Sequence, residues 1–323
     1  MLFRSGIDEL NRLRQYSPAI DYIIKYREIS KLDSTYASGL ARSIKSDSRI
    51  HTTFTQAMTN TGRLSSTEPN LQNIPVRTEE GSRLREAFTA EEGKILVDAD
   101  YSQIELRLLA ALSGDEIMCS AFIEGEDIHK RTAAKVFGVS EEMVTHKMRA
   151  TAKTVNFSII YGISDYGLAT DLGIGYKEAA ELIKDYNNQF PGITAYLDSL
   201  KKSGEEKGYA VTMYGRKRIL NELKSQNRNI KNFGYRAAMN TPIQGTAADI
   251  IKIAMNRVSK ALEERLPSAK LVMQVHDELI CECNIEDKDL CASILKSEME
   301  SAAKLSVPLL AEVGFGKDWL EAK

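Results

Sequence analysis

Two short runs far apart in the chain each place an aspartate where a strand meets a turn. They are Val97-Asp98-Ala99-Asp100-Tyr101-Ser102-Gln103-Ile104-Glu105 and Val275-His276-Asp277-Glu278. A carboxylate at a strand end sits on a rigid element and can aim at a metal. Mg²⁺ takes one or two protein carboxylates, keeps several waters and completes its shell with substrate phosphates. Two such ions roughly 4 Å apart can activate an attacking oxygen and stabilise a leaving one. Alternation from Val97 puts Asp98 and Asp100 on one side of the strand, so spacing leaves both as candidates. Taken singly, each run has a plain structural meaning, a strand end and a hairpin turn.

Between these runs Arg149, Lys153, Phe157 and Tyr161 recur every fourth residue. Each step of four drifts only about 40° around a helix, so neighbours in the series share a face. Two cations followed by two aromatics fit neither a core stripe nor a solvated one. Cations suit a triphosphate, and aromatics suit a sugar and base. Gly162 supplies a helix stop. Carboxylates able to share metal, together with such a helix, are the minimal parts for nucleotidyl transfer.

Other features carry less. From Arg216 to Arg236 seven basic residues face one acid, Glu222, a local charge of +6 in a chain whose net charge is −2. A solvated surface is the usual meaning of such a run, but this one leads into Asn240 and Gln244, hydrogen-bonding groups suited to a nucleic-acid groove. Ser102-x-x-Glu105 reads as a capping box, and Arg107 could pair with an acid on the same helix. His129 follows Glu126-Asp127-Ile128, and a single exposed histidine means little by itself.

The elements that must position these residues read as follows. Residues 8 to about 45 are helical by periodicity, with Pro18 opening the second helix. Residues 50–80 are polar and turn-rich, an irregular stretch of the kind that is usually functional. Lys94 to Val97 forms a buried strand running into Asp98-Ala99-Asp100. Ser102 caps a helix bearing Ile104, Leu106, Leu108, Leu109 and Leu112. Residues 113–235 are mostly helical, and Gln244 to Leu262 is an amphipathic helix. Ala269 to Cys283 is a hairpin with a His276-Asp277 corner; a helix near 286–304 and a strand near 308–313 follow. The fold class is α+β, a small antiparallel sheet backed by helices and interrupted by a helical insertion.

The 323 residues are 43% apolar and 27% charged, an ordinary globular balance. No apolar run approaches the length needed to span a bilayer, and no basic-then-apolar leader opens the chain, so a cytoplasmic protein without membrane contact is expected. Cys281 and Cys283 lack a second pair or a nearby histidine, a poor zinc pattern, and are expected to pack as small hydrophobes.

With those residues in hand, the chain resembles the polymerase domain of the bacterial DNA polymerase I family, family A, from about residue 6 to the C-terminus. The resemblance rests on five ordered motifs. Three are Asp100-Tyr-Ser-Gln-Ile-Glu-Leu-Arg107, Arg149-x-x-x-Lys153-x-x-x-Phe157-x-x-x-Tyr161-Gly162 and Val275-His-Asp-Glu278. Two more are Thr61-Gly-Arg-Leu-Ser-Ser and Gln244-Gly-Thr-Ala-Ala-Asp249. It implies a right-hand architecture: thumb remnant 1–45, palm 46–112 and 236–323, fingers 113–235. It implies Asp100 and Asp277 as metal ligands, helped by the Tyr101 carbonyl, with Glu278 auxiliary and two Mg²⁺ ions for which Mn²⁺ can substitute. Arg149, Lys153 and His129 would bind the dNTP triphosphate, Lys153 also protonating the pyrophosphate. Phe157 would lie on the nucleotide sugar and base, Gln103 beside the nucleotide, and Tyr161 at the template-base position. Glu105 would block a ribose 2′-hydroxyl. Arg63, Arg236, Asn240, Gln244 and His276 would touch the primer–template, where minor-groove acceptors are alike for all correct pairs.

Ser158 stands where the family often has glycine. Most of the thumb and any exonuclease domain are missing from the pattern, so weak, distributive, salt-sensitive synthesis by a monomer is expected. The competing readings are a non-catalytic DNA-binding remnant and a single-subunit RNA polymerase, the latter disfavoured by Glu105.

Overall fold

The computed structural model describes residues 6–76 and 78–323; the first five residues of the expected thumb remnant lie outside that range. Helices α1 (Ile7–Leu13), α2 (Ala19–Lys31) and the short α3 (Ser38–Ala41) open the chain, with Pro18 at the α2 N-cap. The polar stretch expected to be irregular contains a ribbon, β1 (Thr53–Thr55) paired antiparallel with β2 (Ser65–Thr67). Its strands are three residues each, too short for periodicity to reveal. A single turn, α4 (Glu79–Ser82), precedes the central strand β3 (Lys94–Tyr101).

The helical insertion comprises α5 (Ile104–Ser113), α6 (Glu116–Ile123), α7 (Ile128–Val136), α8 (His146–Ile160), α9 (Asp165–Leu172), α10 (Tyr176–Gln189) and α11 (Pro191–Lys207). A small hairpin, β4 (Tyr209–Val211) with β5 (Lys217–Ile219), follows and was not foreseen. Then come α12 (Arg228–Arg265), β6 (Lys270–Val275), β7 (Glu278–Asn284), α13 (Lys288–Glu300) and β8 (Ala311–Gly316).

The main sheet has the order β6-β7-β3-β8, every pair antiparallel. Both its faces are covered. Val97, Ala99, Tyr101, Leu279, Cys281 and Cys283 pack into the large core with α5, α12 and α13. Leu96, Val275 and Ile280 face a second cluster containing Tyr36, Leu40 and Trp319. Leu106, Leu108 and Leu109 on α5 are fully buried, each worth roughly 1.5–3 kcal/mol of apolar burial. That packing fixes the strand-to-helix turn between β3 and α5.

Two local expectations fail. Ser102 does not cap α5, and no capping box forms: the N-cap is Gln103, in the left-handed region at φ 54, with no side-chain cap. Glu105 is instead spent on tertiary partners. Arg107 pairs with no acid among the described residues; its Nε donates to the Ser102 carbonyl and its Nη1 to that of Pro308, both at 2.8 Å. The amphipathic helix expected at 244–262 is also longer, beginning at Arg228 and running through Pro242. An interior proline costs a helix about 3 kcal/mol; burial of Ala237, Ala238, Ile243, Ala247 and Ile250 around it outweighs that cost.

Candidate active site

The carboxylates lie within and beside the sheet end. β3 continues through both aspartates, with Asp98 opposite Ile280 and Asp100 opposite Glu278. The Tyr101 amide donates to the Asp277 carbonyl at 3.2 Å, which draws the β6–β7 turn onto the end of β3. That turn has two residues, His276 and Asp277. His276 takes φ 53, the sign that two-residue hairpin loops require.

Solvent separates the two candidates on β3. Asp98 is 3% exposed; burial with Glu278 alongside holds its carboxyl far above the usual range, and it is withdrawn from solvent. The Asp100 and Asp277 side chains are 43% and 25% exposed. Burial pushes Asp277 up to about 6, with Asp100 and Glu105 adding to the rise and Arg63 opposing it. Asp100 is likewise raised, by burial first. Two partly exposed carboxylates, both raised by burial, form an oxygen-donor pair whose charge a hard divalent cation would relieve. Among the described residues no group of three or more His, Cys, Asp or Glu is arranged around one point. Two carboxylates with the Tyr101 carbonyl suit Mg²⁺, which leaves the rest of its shell to water and phosphate.

Glu278 has both oxygens engaged. Trp319 Nε1 donates to one at 2.7 Å and Lys323 Nζ to the other. Arg85 stacks over the Trp319 ring at 3.9 Å, with its Nη1 3.9 Å from Glu278. Lys323 also lies 3.7 Å from Asp100. Glu278, expected as an auxiliary carboxylate, is thus buried and tied to Trp319 and Lys323.

A chain of contacts leads from these carboxylates to α8. Arg63 Nη2 lies 3.7 Å from Asp277 and donates to Glu105 at 2.6 Å. Tyr161, immediately after α8, donates to the other Glu105 oxygen at 2.7 Å. Along α8 the stripe grades from polar to packed: Lys153 is exposed, Arg149 half-buried, and Phe157 and Tyr161 lie partly against the core. Gly162 ends the run at φ 66. Arg149 donates to Asp127 at 2.6 Å, and Asp127 caps the α7 N-terminus through the His129 and Lys130 amides. His129 is thus brought beside the stripe, buried, its ring 5.9 Å from that of Phe157. The Asn156 amide nitrogen sits 2.9 Å from its Nδ1, an orientation that leaves the ring proton on Nε2. Burial pushes His129 down to about 4, so at neutral pH it is an uncharged donor.

The family model for DNA polymerase family A matches residues 4–321. The chain belongs to DNA polymerase family A. Among family A relatives, DNA polymerase I of Caldicellulosiruptor bescii is 48% identical over 99% of this chain and 38% of its own length. DNA polymerase I of Bacillus subtilis is 48% identical over 99% of this chain and 37% of its own. The thermostable DNA polymerase I of Thermus filiformis is 49% identical over 97% and 38%. The chain therefore spans well under half the length of these relatives. The POL domain of Pol1 from M. smegmatis, solved in complex with DNA primer-template and dNTP, superposes with a TM-score of 0.94 at 42% identity. That match covers 98% of this chain and 56% of the solved one. The α+β right-hand polymerase fold expected from the sequence is the fold observed.

Within this family A fold, the residues expected at the DNA side form a second group. Tyr161, Arg236, Asn240 and Gln244 line one cleft together with Ser158 and Arg218. Among the described residues the buried Asn240 Oδ1 and Gln103 Oε1 atoms meet no hydrogen-bond partner. Arg63 and His276 lie instead on the carboxylate side, His276 and Asp277 lining a cavity with Asp100. Sequence reasoning missed Asp127, Asn156, Arg85, Trp319 and Lys323, which orient the proposed site residues. Only Asp127 carried a signal, an N-cap residue directly ahead of a helical run. No helix among the described residues is long and apolar enough to cross a membrane.

Proposed function

We propose that the chain is the catalytic core of a template-directed DNA polymerase, adding dNTPs to a primer 3′ end with release of pyrophosphate. The observation that carries this reading is the contact chain Asp277–Arg63–Glu105–Tyr161, which ties the carboxylate pair to the cationic helix. In the corresponding architecture 1–45 is a thumb remnant, 46–112 and 236–323 the palm, and 113–235 the fingers.

Asp100, Asp277 and the Tyr101 carbonyl would hold two Mg²⁺ ions, or Mn²⁺ in their place. When bound, such ions activate a hydroxyl nucleophile and neutralise charge developing on the leaving phosphates. The chain's own part is positioning and charge, which is most of what phosphoryl transfer needs. Arg149 and Lys153 take the triphosphate as cations, and His129 adds a neutral N–H whose direction Asn156 fixes. Lys153, the exposed ammonium of the stripe, gives a proton to departing pyrophosphate in this reading. Phe157 offers its face to the sugar and base, with Gln103 beside the nucleotide. Glu105, locked by Arg63 and Tyr161, fills the space a 2′-hydroxyl would need. Tyr161 marks the template-base position. Arg63, Arg236, Asn240, Gln244 and His276 read the geometry of the primer–template end. A monomeric cytoplasmic enzyme of replication or repair follows from the same reading.

The test is Asp277→Ala. Mg²⁺-dependent primer extension is expected to disappear while binding of primer–template, measured by filter retention, stays within a few-fold. Extension at near wild-type rate would falsify the assignment.

A further inference from the structure

Two of the sequence motifs meet at a residue that belongs to neither. Arg216 stands at the entry to β5, where the Thr212 amide donates to its carbonyl at 3.0 Å and its own amide donates to Thr212 Oγ1 at 3.2 Å. Its guanidinium then reaches three acceptors. Nε donates to Asp249 Oδ1 at 2.9 Å, and Nη2 donates to the Thr61 carbonyl at 2.7 Å and the Gly245 carbonyl at 2.8 Å.

Space for this side chain comes from the glycines of both motifs. At Gly62, with φ +82, an added Cβ would run into the Arg216 guanidinium carbon. At Gly245 it would lie 2.9 Å from Nη2 and 2.6 Å from Thr212 Cγ2. Two residues beyond Thr61 comes Arg63, whose carbonyl accepts from Thr59 Oγ1 at 2.7 Å within the same loop. Although Arg216 heads the basic run 216–236, its half-buried charge is paired with Asp249.

We propose that Arg216, backed by Asp249, is a positioning residue: it clamps the Thr59–Arg63 loop onto α12 and so holds Arg63 against Glu105 and Asp277. The consequence for synthesis rests on Arg63 serving the primer–template, as read above; the clamp itself does not. A planar fork satisfies three acceptors on two segments, the 59–63 loop and α12, in fixed directions, which a lysine ammonium on a flexible stem does not reproduce.

The experiment uses the full chain with Arg216→Lys, Arg63→Ala and the double variant, in primer extension at saturating dNTP and in hydrogen exchange. Arg216→Lys is expected to slow extension by roughly ten- to a hundredfold and to speed exchange in residues 59–63 while α12 stays protected. In the Arg63→Ala background it should slow extension no further. Wild-type extension by Arg216→Lys, or an equal loss with and without Arg63, overturns the positioning role. If Arg63→Ala itself extends normally, the reading of Arg63 falls; loop exchange then decides the clamp, faster exchange supporting it and unchanged exchange overturning it. Should Arg216→Lys fail to fold, Asp249→Asn provides the same comparison, with faster loop exchange expected and unchanged exchange contradicting the clamp.

Discussion

Single residues in this site act through partners more than through their own charge. Glu105 is 5% exposed and accepts from Arg63 and Tyr161, so its position is fixed by two bonds of the charge-assisted kind. Glu105→Ala removes the bulk expected to exclude a ribose and takes away the carboxylate that Arg63 and Tyr161 share. Relative use of rNTP over dNTP should rise by at least about tenfold, measured by competitive incorporation; unchanged selectivity would remove the gate assignment. His129 offers a pH-dependent counterpart. Its folded value of about 4 lies below the ordinary 6.5, so between those values the unfolded chain binds the extra proton. Its contribution is therefore complete above pH 6.5 and lost as pH falls towards 4, on the order of 3 kcal/mol in all. Urea titrations at pH 7 and pH 5 should show a smaller loss of stability in His129→Gln than in wild type. Equal losses in the two proteins would show that the ring does not carry that proton linkage.

At the scale of elements, some positions were legible and others were not, for identifiable reasons. The stripe Arg149, Lys153, Phe157, Tyr161 was readable because a helix repeats side chains on one face, and Gly162 because a left-handed stop favours glycine. The hairpin around Asp277 was readable from its alternation and its two-residue corner. The true length of β3 was not, since two aspartates look like a strand's end; pairing with β7 and β8 carries the strand on to Tyr101, with Asp98 buried inside it. Nor was the use of Glu105, because a local cap and a tertiary bond share one sequence pattern, and the αL turn at Gln103 decides between them. Arg216 looked like surface charge because its partners, Thr61 and Asp249, are remote in sequence. Gly162 gives the element-scale prediction. An added Cβ would collide with Met239 Cε and lie 3.1 Å from Arg236 Cγ, and the left-handed backbone adds a penalty of about 1–2 kcal/mol. Gly162→Ala should lower the urea midpoint by at least that equivalent; an unchanged midpoint would mean that the turn relaxes without strain.

For the molecule as a whole, two-sided burial of the β6-β7-β3-β8 sheet supplies the rigidity, and the proposed catalytic carboxylates sit at one end of it. Charge is arranged to match: carboxylates gather at that end, while the 216–236 segment carries +6 in a chain of net charge −2. Binding to a polyanion through such a segment weakens steeply with salt. The chain also spans only 38% of the C. bescii relative, so its own capacity for synthesis is the central claim. The most direct measurement is primer extension by the purified 323-residue chain on a defined primer–template, with Mg²⁺, single dNTPs and increasing salt. The expected result is incorporation only of the dNTP complementary to the template base, with pyrophosphate released and the rate falling sharply as salt rises. Salt-sensitive binding of the primer–template with no incorporation at any Mg²⁺ or Mn²⁺ concentration would contradict it.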